Sequence, residues 1–223
     1  MATAIIGTGN IGGTLARNLV RGGESVVLAA KDEAHAAALA QELGDLARAA
    51  SVEEAIAEAD AVVFAIWLDT IKELTAKDAG LLEGKVVVDP SNPIGVDENG
   101  EMTRTLPDDQ SAGSMVAAML PTGAHYVKAF GTLGVDSLAS AANRDPRRAV
   151  LLYATDDDAA AAAIERLINA AGFDPLKVGG VADSARIEVP GGDLHQNGGL
   201  NGQLLDLDQA RAAVAAGPTP ATA

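Results

Sequence analysis

The sequence has no cysteine and few aromatic residues, and each shortage excludes a class of function. Without cysteine the chain can form no disulfide, thiolate zinc site or iron–sulfur cluster, and it has no thiol nucleophile. Any redox chemistry would therefore need a bound cofactor. Aromatic residues make up only 3% of the chain, which is too little for a platform on which single-stranded nucleic acid could stack.

Basic residues and long apolar runs are also scarce. Sixteen Lys and Arg against 31 Asp and Glu give a formal net charge of −15, so nucleic acids and anionic lipid surfaces would repel the chain. The longest apolar run, Ala61–Leu68, falls well short of the roughly 20 residues that span a bilayer. The N-terminal residues lack the pattern of a signal peptide. We therefore expect a cytoplasmic protein with small-molecule partners, no nucleic acid and no membrane.

What the chain does contain is an alternation of strands and helices. A short apolar run ends at Gly7, and residues 10–20 carry apolar side chains on one helical face. A strand at 25–29 and a helix from Asp32 to Leu43 complete a βαβ unit. Further strands are predicted at 61–66, 85–89, 125–130 and 149–153. Because these strands are apolar on both faces, the pattern favours a parallel sheet covered by helices.

Between and beyond these elements the sequence predicts several local features. Ser51 and Glu54 form a capping box at the start of a short helix, and the three Asp at 156–158 cap a helix that runs to residue 171. Residues 90–113 are rich in Pro, Asn, Gly and Asp, so we expect a long irregular connection there. Helices are also predicted near 111–120, 138 and 208–216.

A glycine motif supplies the chemistry. Gly7-Thr8-Gly9-Asn10-Ile11-Gly12 matches G-x-G-x-x-G between a strand and a helix, the context of a dinucleotide-binding turn. Gly7 permits the tight turn, Gly9 lets the backbone approach a diphosphate, and Gly12 lets helix and strand pack closely. The alternative is a glycine-rich turn without a ligand. The predicted fold class is thus α/β: a Rossmann-type doubly wound, mainly parallel sheet with a short C-terminal extension.

The end of the second strand bears on cofactor choice. An NAD site generally has Asp or Glu there to bind the ribose 2′-hydroxyl, whereas this chain has Ala29-Ala30-Lys31. The Lys31 ammonium could pair with the 2′-phosphate of NADP, so the pattern favours NADP(H). The alternative is a solvated surface lysine followed by Asp32.

Other catalytic signatures are missing. The chain has no G-x-S-x-G and no H-E-x-x-H, and His35, His125 and His195 are too scattered in sequence to predict a metal site. We predict no catalytic side chain and no metal. One domain is expected over residues 1–216, with an NADP-binding core at 1–120 and a substrate-side extension at 121–216, followed by a disordered tail at 217–223.

The motifs resemble those of a known family, the NADP oxidoreductases that use the deazaflavin coenzyme F420. The resemblance includes the glycine turn, Asp89-Pro90-Ser91-Asn92-Pro93, which is similar to that family's D-x-[ST]-N-P, and Lys128–Thr132, which is similar to its K-A-F-N-T. Related ferric reductase domains share the pattern. This chain departs from the family at Ala30-Lys31, where Ser-Arg is usual, at Trp67, where Pro is frequent, and at Gly131, which replaces Asn.

The resemblance implies roles for several residues. Ile66, Trp67 and Leu68 would lie beside the cofactor, although Trp67 could equally anchor a core or an interface. Ser91, Asn92 and Pro93 would flank the nicotinamide, unless this segment merely builds a turn. Lys128 and Phe130 would wall the pocket of the second substrate. The glycine-rich segment 191–202, with His195 and Asn197, would close over that substrate, with a structural loop or dimer contact as the alternative for His195.

Three functions follow from these expectations. The first is hydride transfer between NADP(H) and F420, which needs two aligned rings more than a protein acid or base. The second keeps NADPH and changes the acceptor to a flavin, a ferric chelate or a small imine or carbonyl compound. The third is a non-catalytic module that senses NADP. The C-terminal helix and the Ala-rich surfaces could support a homodimer.

Overall fold

A computed structural model of the chain describes residues 2–217. The predicted tail lies outside the described residues, apart from Gly217. The strands are β1 Ala2–Ile6, β2 Ser25–Ala29, β3 Ala47–Ala49, β4 Ala61–Phe64, β5 Val86–Asp89, β6 Ile94–Val96, β7 Met102–Arg104, β8 His125–Lys128, β9 Val150–Ala154 and β10 Asp174–Gly179. The α-helices are α1 Asn10–Arg21, α2 Glu33–Leu43, α3 Val52–Glu58, α4 Leu68–Asp78, α5 Ala112–Met119, α6 Val135–Ser140, α7 Asp158–Ala170 and α8 Leu207–Ala216.

Eight strands form one sheet in the order β10-β9-β8-β5-β4-β1-β2-β3. The chain starts in the interior at β1, builds β2 and β3 on one side, and then crosses to build β4, β5 and β8 on the other. These six strands run parallel. The strand order therefore reverses between β1 and β4, which is where a doubly wound sheet opens a crevice for ligands. The Rossmann-type fold class is confirmed.

Apolar side chains cover both faces of the sheet, as the strand sequences predict. One layer packs around Ile5, Val63 and Val88 together with helices α1 and α7, and the other around Ile6, Val62 and Val87 with α3 and α5. Alternate residues of the same strand thus enter opposite layers, because successive side chains of a strand point to opposite faces.

The far edge of the sheet differs from the prediction. β9 pairs with β8 antiparallel, and β10, which the sequence analysis did not identify, pairs parallel to β9. A short 3-10 helix, Val181–Ile187, follows and was also missed. Pro175 and Lys177 make β10 a poor match to a buried strand, and its position at the edge of the sheet explains why these residues are tolerated.

The prediction of an irregular connection at 90–113 was wrong in part. β6 and β7 form an antiparallel hairpin within it, and Asp97 closes the turn by accepting bonds from the amides of Asn99 and Glu101 at 2.9 and 2.8 Å. The hairpin lies beside the carboxyl end of β5.

The predicted helix starts are confirmed. Asp32 accepts from the amides of Ala34 and His35, and Ser51 forms the capping box with Glu54. Asp157, the second of the three Asp, caps α7 by accepting from the amide of Ala160 at 2.8 Å. Within residues 2–217, every helix is too short or too polar to cross a bilayer.

Candidate cofactor-binding site

The turn between β1 and α1 is built on two tight backbone contacts. Gly7 has φ +98°, and its amide donates to the carbonyl of Ala29 at 2.7 Å. A Cβ on Gly7 would lie 2.3 Å from the carbonyl oxygen of Ala65, and one on Gly12 would lie 1.9 Å from that of Gly7. Both positions therefore require glycine, for the turn and for close helix packing as predicted.

Gly9 differs from Gly7 and Gly12, the other two glycines of the motif, because the space around it is open. A Cβ built there meets no atom within 4 Å, and its φ of −69° is one that any residue adopts. Gly9 is also the N-cap of α1, and no side chain from the described residues caps this helix. The first amides of α1 thus keep their bonding capacity at an accessible backbone, which suits an anionic group.

A cleft of about 710 Å³ opens above this turn, at the carboxyl ends of β1, β2, β4 and β5. It brings together most of the predicted site residues. Those that line it are Gly7, Thr8, Gly9, Asn10, Ile11, Lys31, Ile66, Trp67, Leu68, Ser91, Asn92, His195 and Asn197.

The β2 end of the cleft holds a cation, Lys31, beside the carboxylate of Asp32. Lys31 lines the cleft there, together with His35, whose Nδ1 lies 3.5 Å from the Thr8 hydroxyl. The Asp32 carboxylate caps α2: it accepts from the amides of Ala34 and His35 at 3.1 and 3.3 Å. The positive end of the helix dipole therefore stabilises its negative charge. Lys31 and His35 are therefore the groups suited to a phosphate.

The β4 end of the cleft is apolar. Trp67 follows β4 and is 53% exposed, so it does not anchor a core. Ile66 and Leu68 accompany it, and Ile94 and Met102 of the hairpin line the same cleft. This end can accommodate a flat aromatic ring.

Ser91 and Asn92 lie where β5 ends. Asn92 is fixed by two bonds: its amide nitrogen donates to the carbonyl of Gly131 at 3.2 Å, and its oxygen accepts from the amide of Val189 at 2.9 Å. Ser91 is buried with its hydroxyl unpartnered among the described residues, although it lines the cleft. An unpartnered buried hydroxyl costs free energy unless a ligand bonds to it.

These observations agree with a bound dinucleotide. The open backbone at Gly9, the uncapped start of α1 and the free Ser91 hydroxyl are the features that a diphosphate and a polar ring substituent would use. The residues present therefore fit NADP(H).

Two predicted pocket residues require correction. Lys128 and Phe130 do not line the cleft, because both side chains are buried beneath it. Lys128 bonds to the Asp89 carboxylate at 3.0 Å, and Phe130 turns into the core with φ +66°. Pro93, predicted to flank the nicotinamide, is likewise buried outside the lining. Gly12, predicted in the cofactor site, packs against the carbonyl of Gly7 within the turn and does not line the cleft.

The segment 191–202 forms a fixed wall of the cleft. His195 Nε2 donates to the carbonyl of Gly131 at 2.8 Å, and Nδ1 accepts from the amide of Asn197 at 3.0 Å. Burial lowers the pKa of His195, with the nearby Lys128 charge acting in the same direction. Both ring nitrogens of His195 are thus engaged within the protein, and the roles predicted for His195 and Asn197 toward a second substrate stay predictions.

Several lining residues were missed. His35 lies in the first turn of the helix that the sequence predicts from Asp32, directly after the strand end that carries Lys31. Ile94 and Met102 depended on the hairpin, for which Asn99-Gly100 was an available turn signal. Val189 belongs to a turn that Pro190-Gly191 signals, but nothing in the sequence placed this turn beside the cleft.

The turn, the helix start and the cleft together define a dinucleotide-binding protein of the Rossmann class. Known proteins narrow this class: residues 2–93 match the family model described as NADP oxidoreductase, coenzyme F420-dependent. The matched range contains the glycine turn and Asp89–Pro93. The predicted resemblance to this family is thereby confirmed over these residues.

Individual relatives extend the comparison. Over 185 residues the chain is 31% identical to metalloreductase STEAP3 of Rattus norvegicus, covering 83% of this chain and 35% of that protein. The chain thus spans about a third of that relative's length. The solved structure of the hypothetical protein SMa0349 from Sinorhizobium meliloti has a TM-score of 0.77 at 26% identity, covering 92% of this chain and 95% of the other.

A second solved structure shows the same fold. It is a protein of Arthrobacter sp. FB24, provisionally described as an F420-dependent NADP reductase, with a TM-score of 0.70 at 24% identity. The match covers 82% of this chain and 86% of that one. At this identity it supports the architecture alone.

Proposed function

We propose that the protein transfers a hydride between NADP(H) and the deazaflavin coenzyme F420. The observation that carries the proposal is one cleft that joins the open glycine turn, the Lys31 cation and an apolar end beside Trp67. The family match over residues 2–93 supports both the cofactor and the acceptor.

The chain's own residues would bind and orient the cofactor. The amides at the start of α1 would hold the diphosphate next to Gly9, and Lys31 and His35 would face the 2′-phosphate. The nicotinamide half would then extend across the switch point toward Trp67 and Ser91. When bound, NADPH supplies a hydride with its two electrons from the nicotinamide C4, and the acceptor takes a proton from solvent.

The apolar end of the cleft would align the second ring and exclude water. Trp67, Ile94 and Met102 offer surfaces for stacking rather than charges. Hydride transfer between two stacked rings needs alignment, and no side chain has to act as acid or base. The prediction that no side chain is catalytic is consistent with this chemistry.

A second candidate acceptor is favoured by the 31% identity to a metalloreductase. In that case NADPH would pass its hydride to a flavin, and the reduced flavin would release the two electrons one at a time to two ferric ions. The NADPH end of the cleft would be the same in both candidates.

The test follows the absorbance of NADPH with purified protein and each acceptor in turn: F420, FMN, and FMN with a ferric chelate. We expect rapid oxidation with F420; at NADPH concentrations below the wild-type Kd, Gly9→Ala should slow it at least about tenfold, while Gly80→Ala, an equally open glycine remote from the cleft, should not. Oxidation with FMN alone would select the second candidate. NADPH binding without oxidation by any acceptor would contradict both and indicate a sensing module.

The homodimer, the cytoplasmic location and the division of residues 1–216 near residue 120 stay predictions. Sedimentation of the purified chain tests the first of these.

A further inference from the structure

A buried lysine lies beneath the nicotinamide end of the cleft. Lys128 is 2% exposed and contacts two carboxylates that are equally buried, Asp89 at 3.0 Å and Glu188 at 3.3 Å. Its Nζ also donates to the carbonyl of Ser91. A buried charge of this kind is costly unless it is fully paired, so the arrangement requires an account.

The two carboxylates are themselves held by other groups. Asp89 accepts from the Tyr126 hydroxyl at 2.8 Å, and burial beside Asp89 raises the pKa of Tyr126, which keeps this hydroxyl a donor. Glu188 accepts from the amides of Ala112 and Gly113 at the start of α5, at 2.9 and 2.7 Å. The single ammonium offsets one of the two negative charges, and the hydroxyl and amide donors stabilise the carboxylates by hydrogen bonds.

The network fixes the backbone of Ser91 on both sides. The Ser91 amide donates to Asp89 at 2.8 Å, and the Ser91 carbonyl accepts from Lys128. The backbone that carries the Ser91 side chain is therefore held from below the cleft. Its hydroxyl is the one polar side-chain atom of the described cleft lining that is both buried and unpartnered.

Lys128 also holds the opposite wall. Glu188 precedes Val189, which lines the cleft and whose amide bonds to Asn92. The same ammonium thus connects the end of β5 with the wall that contains Val189, although it does not reach the cleft.

We propose that Lys128 is a positioning residue for the nicotinamide half of the cofactor. It fixes the Ser91 backbone so that the Ser91 hydroxyl can bond to the polar substituent of the ring. The inference rests on the proposed function, because it assumes that NADPH occupies the cleft. It assigns Lys128 an indirect role, in place of the contact with the second substrate that the sequence suggested.

The test compares two ligands that differ only in the nicotinamide half: NADPH and 2′-phospho-ADP-ribose, which lacks the ring. Affinity is measured by calorimetry, and the emission of bound NADPH reports the environment of the ring. The variants are Ser91→Ala, Lys128→Met and a control, Lys85→Met. Lys85 binds the carbonyls of Ala57 and Ala59 at the opposite end of β5, far from the cleft.

We expect Ser91→Ala to weaken NADPH about threefold to tenfold, the loss of one hydrogen bond, and Lys128→Met to weaken it at least as much. Both variants should bind 2′-phospho-ADP-ribose within about twofold of wild type and lose the emission change of bound NADPH, since only the ring contact is removed. Lys85→Met should change neither ligand.

Equal losses for the two ligands would overturn the proposal, because they would show a general structural role. Unchanged NADPH affinity in Ser91→Ala would overturn it as well, and this variant decides the question alone if Lys128→Met does not fold. Failure of the wild type to bind either ligand would instead reject the proposed function.

Discussion

The imidazole of His195 donates from Nε2 to the carbonyl of Gly131 across 2.8 Å, and Nδ1 accepts a bond from Asn197. These bonds define the neutral tautomer with the proton on Nε2. Because the side chain is buried, protonation of Nδ1 would remove one bond and leave a charge without solvent. The same Gly131 carbonyl accepts from Asn92, so His195 joins the C-terminal wall to the end of β5.

This relationship predicts a pH dependence of stability. Burial lowers the pKa of His195 below its unfolded value near 6.5, so the unfolded chain takes up the proton first. The contribution of His195 is complete above about pH 6.5 and is lost as the pH falls below it. Urea unfolding at pH 7.5 and pH 5.5 should show a larger drop in the free energy of unfolding for wild type than for His195→Gln.

The variant should also be less stable than wild type at pH 7.5, by about 1–3 kcal/mol for the two lost bonds. His35→Gln, at the exposed start of α2, controls for the loss of a histidine. Equal drops with pH in wild type and His195→Gln would contradict the assignment.

Local features of the fold could be predicted from the sequence because their causes lie within a few residues. The glycine turn, the Asp32 cap and the Ser51–Glu54 capping box are examples. β10 could not be predicted, since it depends on pairing with β9 rather than on its own apolar pattern. The reversed direction of β9 depends on the path of a connection, which carries no periodic signal.

The same distinction between local causes and tertiary contacts applies to the residues of the site. The proximity of the glycine turn to Lys31 was predictable because both follow the ends of adjacent parallel strands, β1 and β2. The burial of Lys128 was not, because its partner Glu188 is distant in sequence and meets it only after the C-terminal segment has docked. A lysine at a strand end suggested a pocket wall, and tertiary contacts reversed that interpretation.

Gly9→Ala should weaken cofactor binding and leave the stability of the fold nearly unchanged. The added Cβ meets no protein atom within 4 Å, so the free energy of unfolding should stay within about 1 kcal/mol of wild type, the scale of an N-cap change. The methyl group would occupy the space where a diphosphate approaches the backbone. Affinity for NADPH and NADH should both fall at least about tenfold, or about 1.4 kcal/mol.

Gly80→Ala provides the matched control, because Gly80 is equally open and remote from the cleft. Calorimetric titration and thermal melts of both variants check the prediction. Normal NADPH affinity in Gly9→Ala would show that the diphosphate lies elsewhere.

Asp32→Asn should strengthen NADPH binding. Asn keeps the N-cap while removing a negative charge next to Lys31, so we expect the affinity for NADPH to rise about twofold to fivefold, an exposed ion-pair effect. The gain should fade at high salt because the site is open to solvent. Asp45→Asn removes an equal charge away from the cleft, and a similar gain there would point to net charge instead.

Trp67 is the only tryptophan of the chain, so the intrinsic emission reports on this residue alone. Because Trp67 lines the cleft and is half exposed, NADPH should quench its fluorescence in a saturable way. NADP fragments without the ring should quench it much less. Equal quenching by 2′-phospho-ADP-ribose would place the indole away from the nicotinamide half.

The most direct test of the account is a titration of NADPH and NADH into wild type and Lys31→Glu. If Lys31 binds the 2′-phosphate, the substitution should weaken NADPH by about 1–3 kcal/mol, the range for a charge-assisted contact, and leave NADH nearly unchanged. Equal losses for NADPH and NADH, or no loss for either, would contradict the claim that this cleft binds NADP with its phosphate at the end of β2.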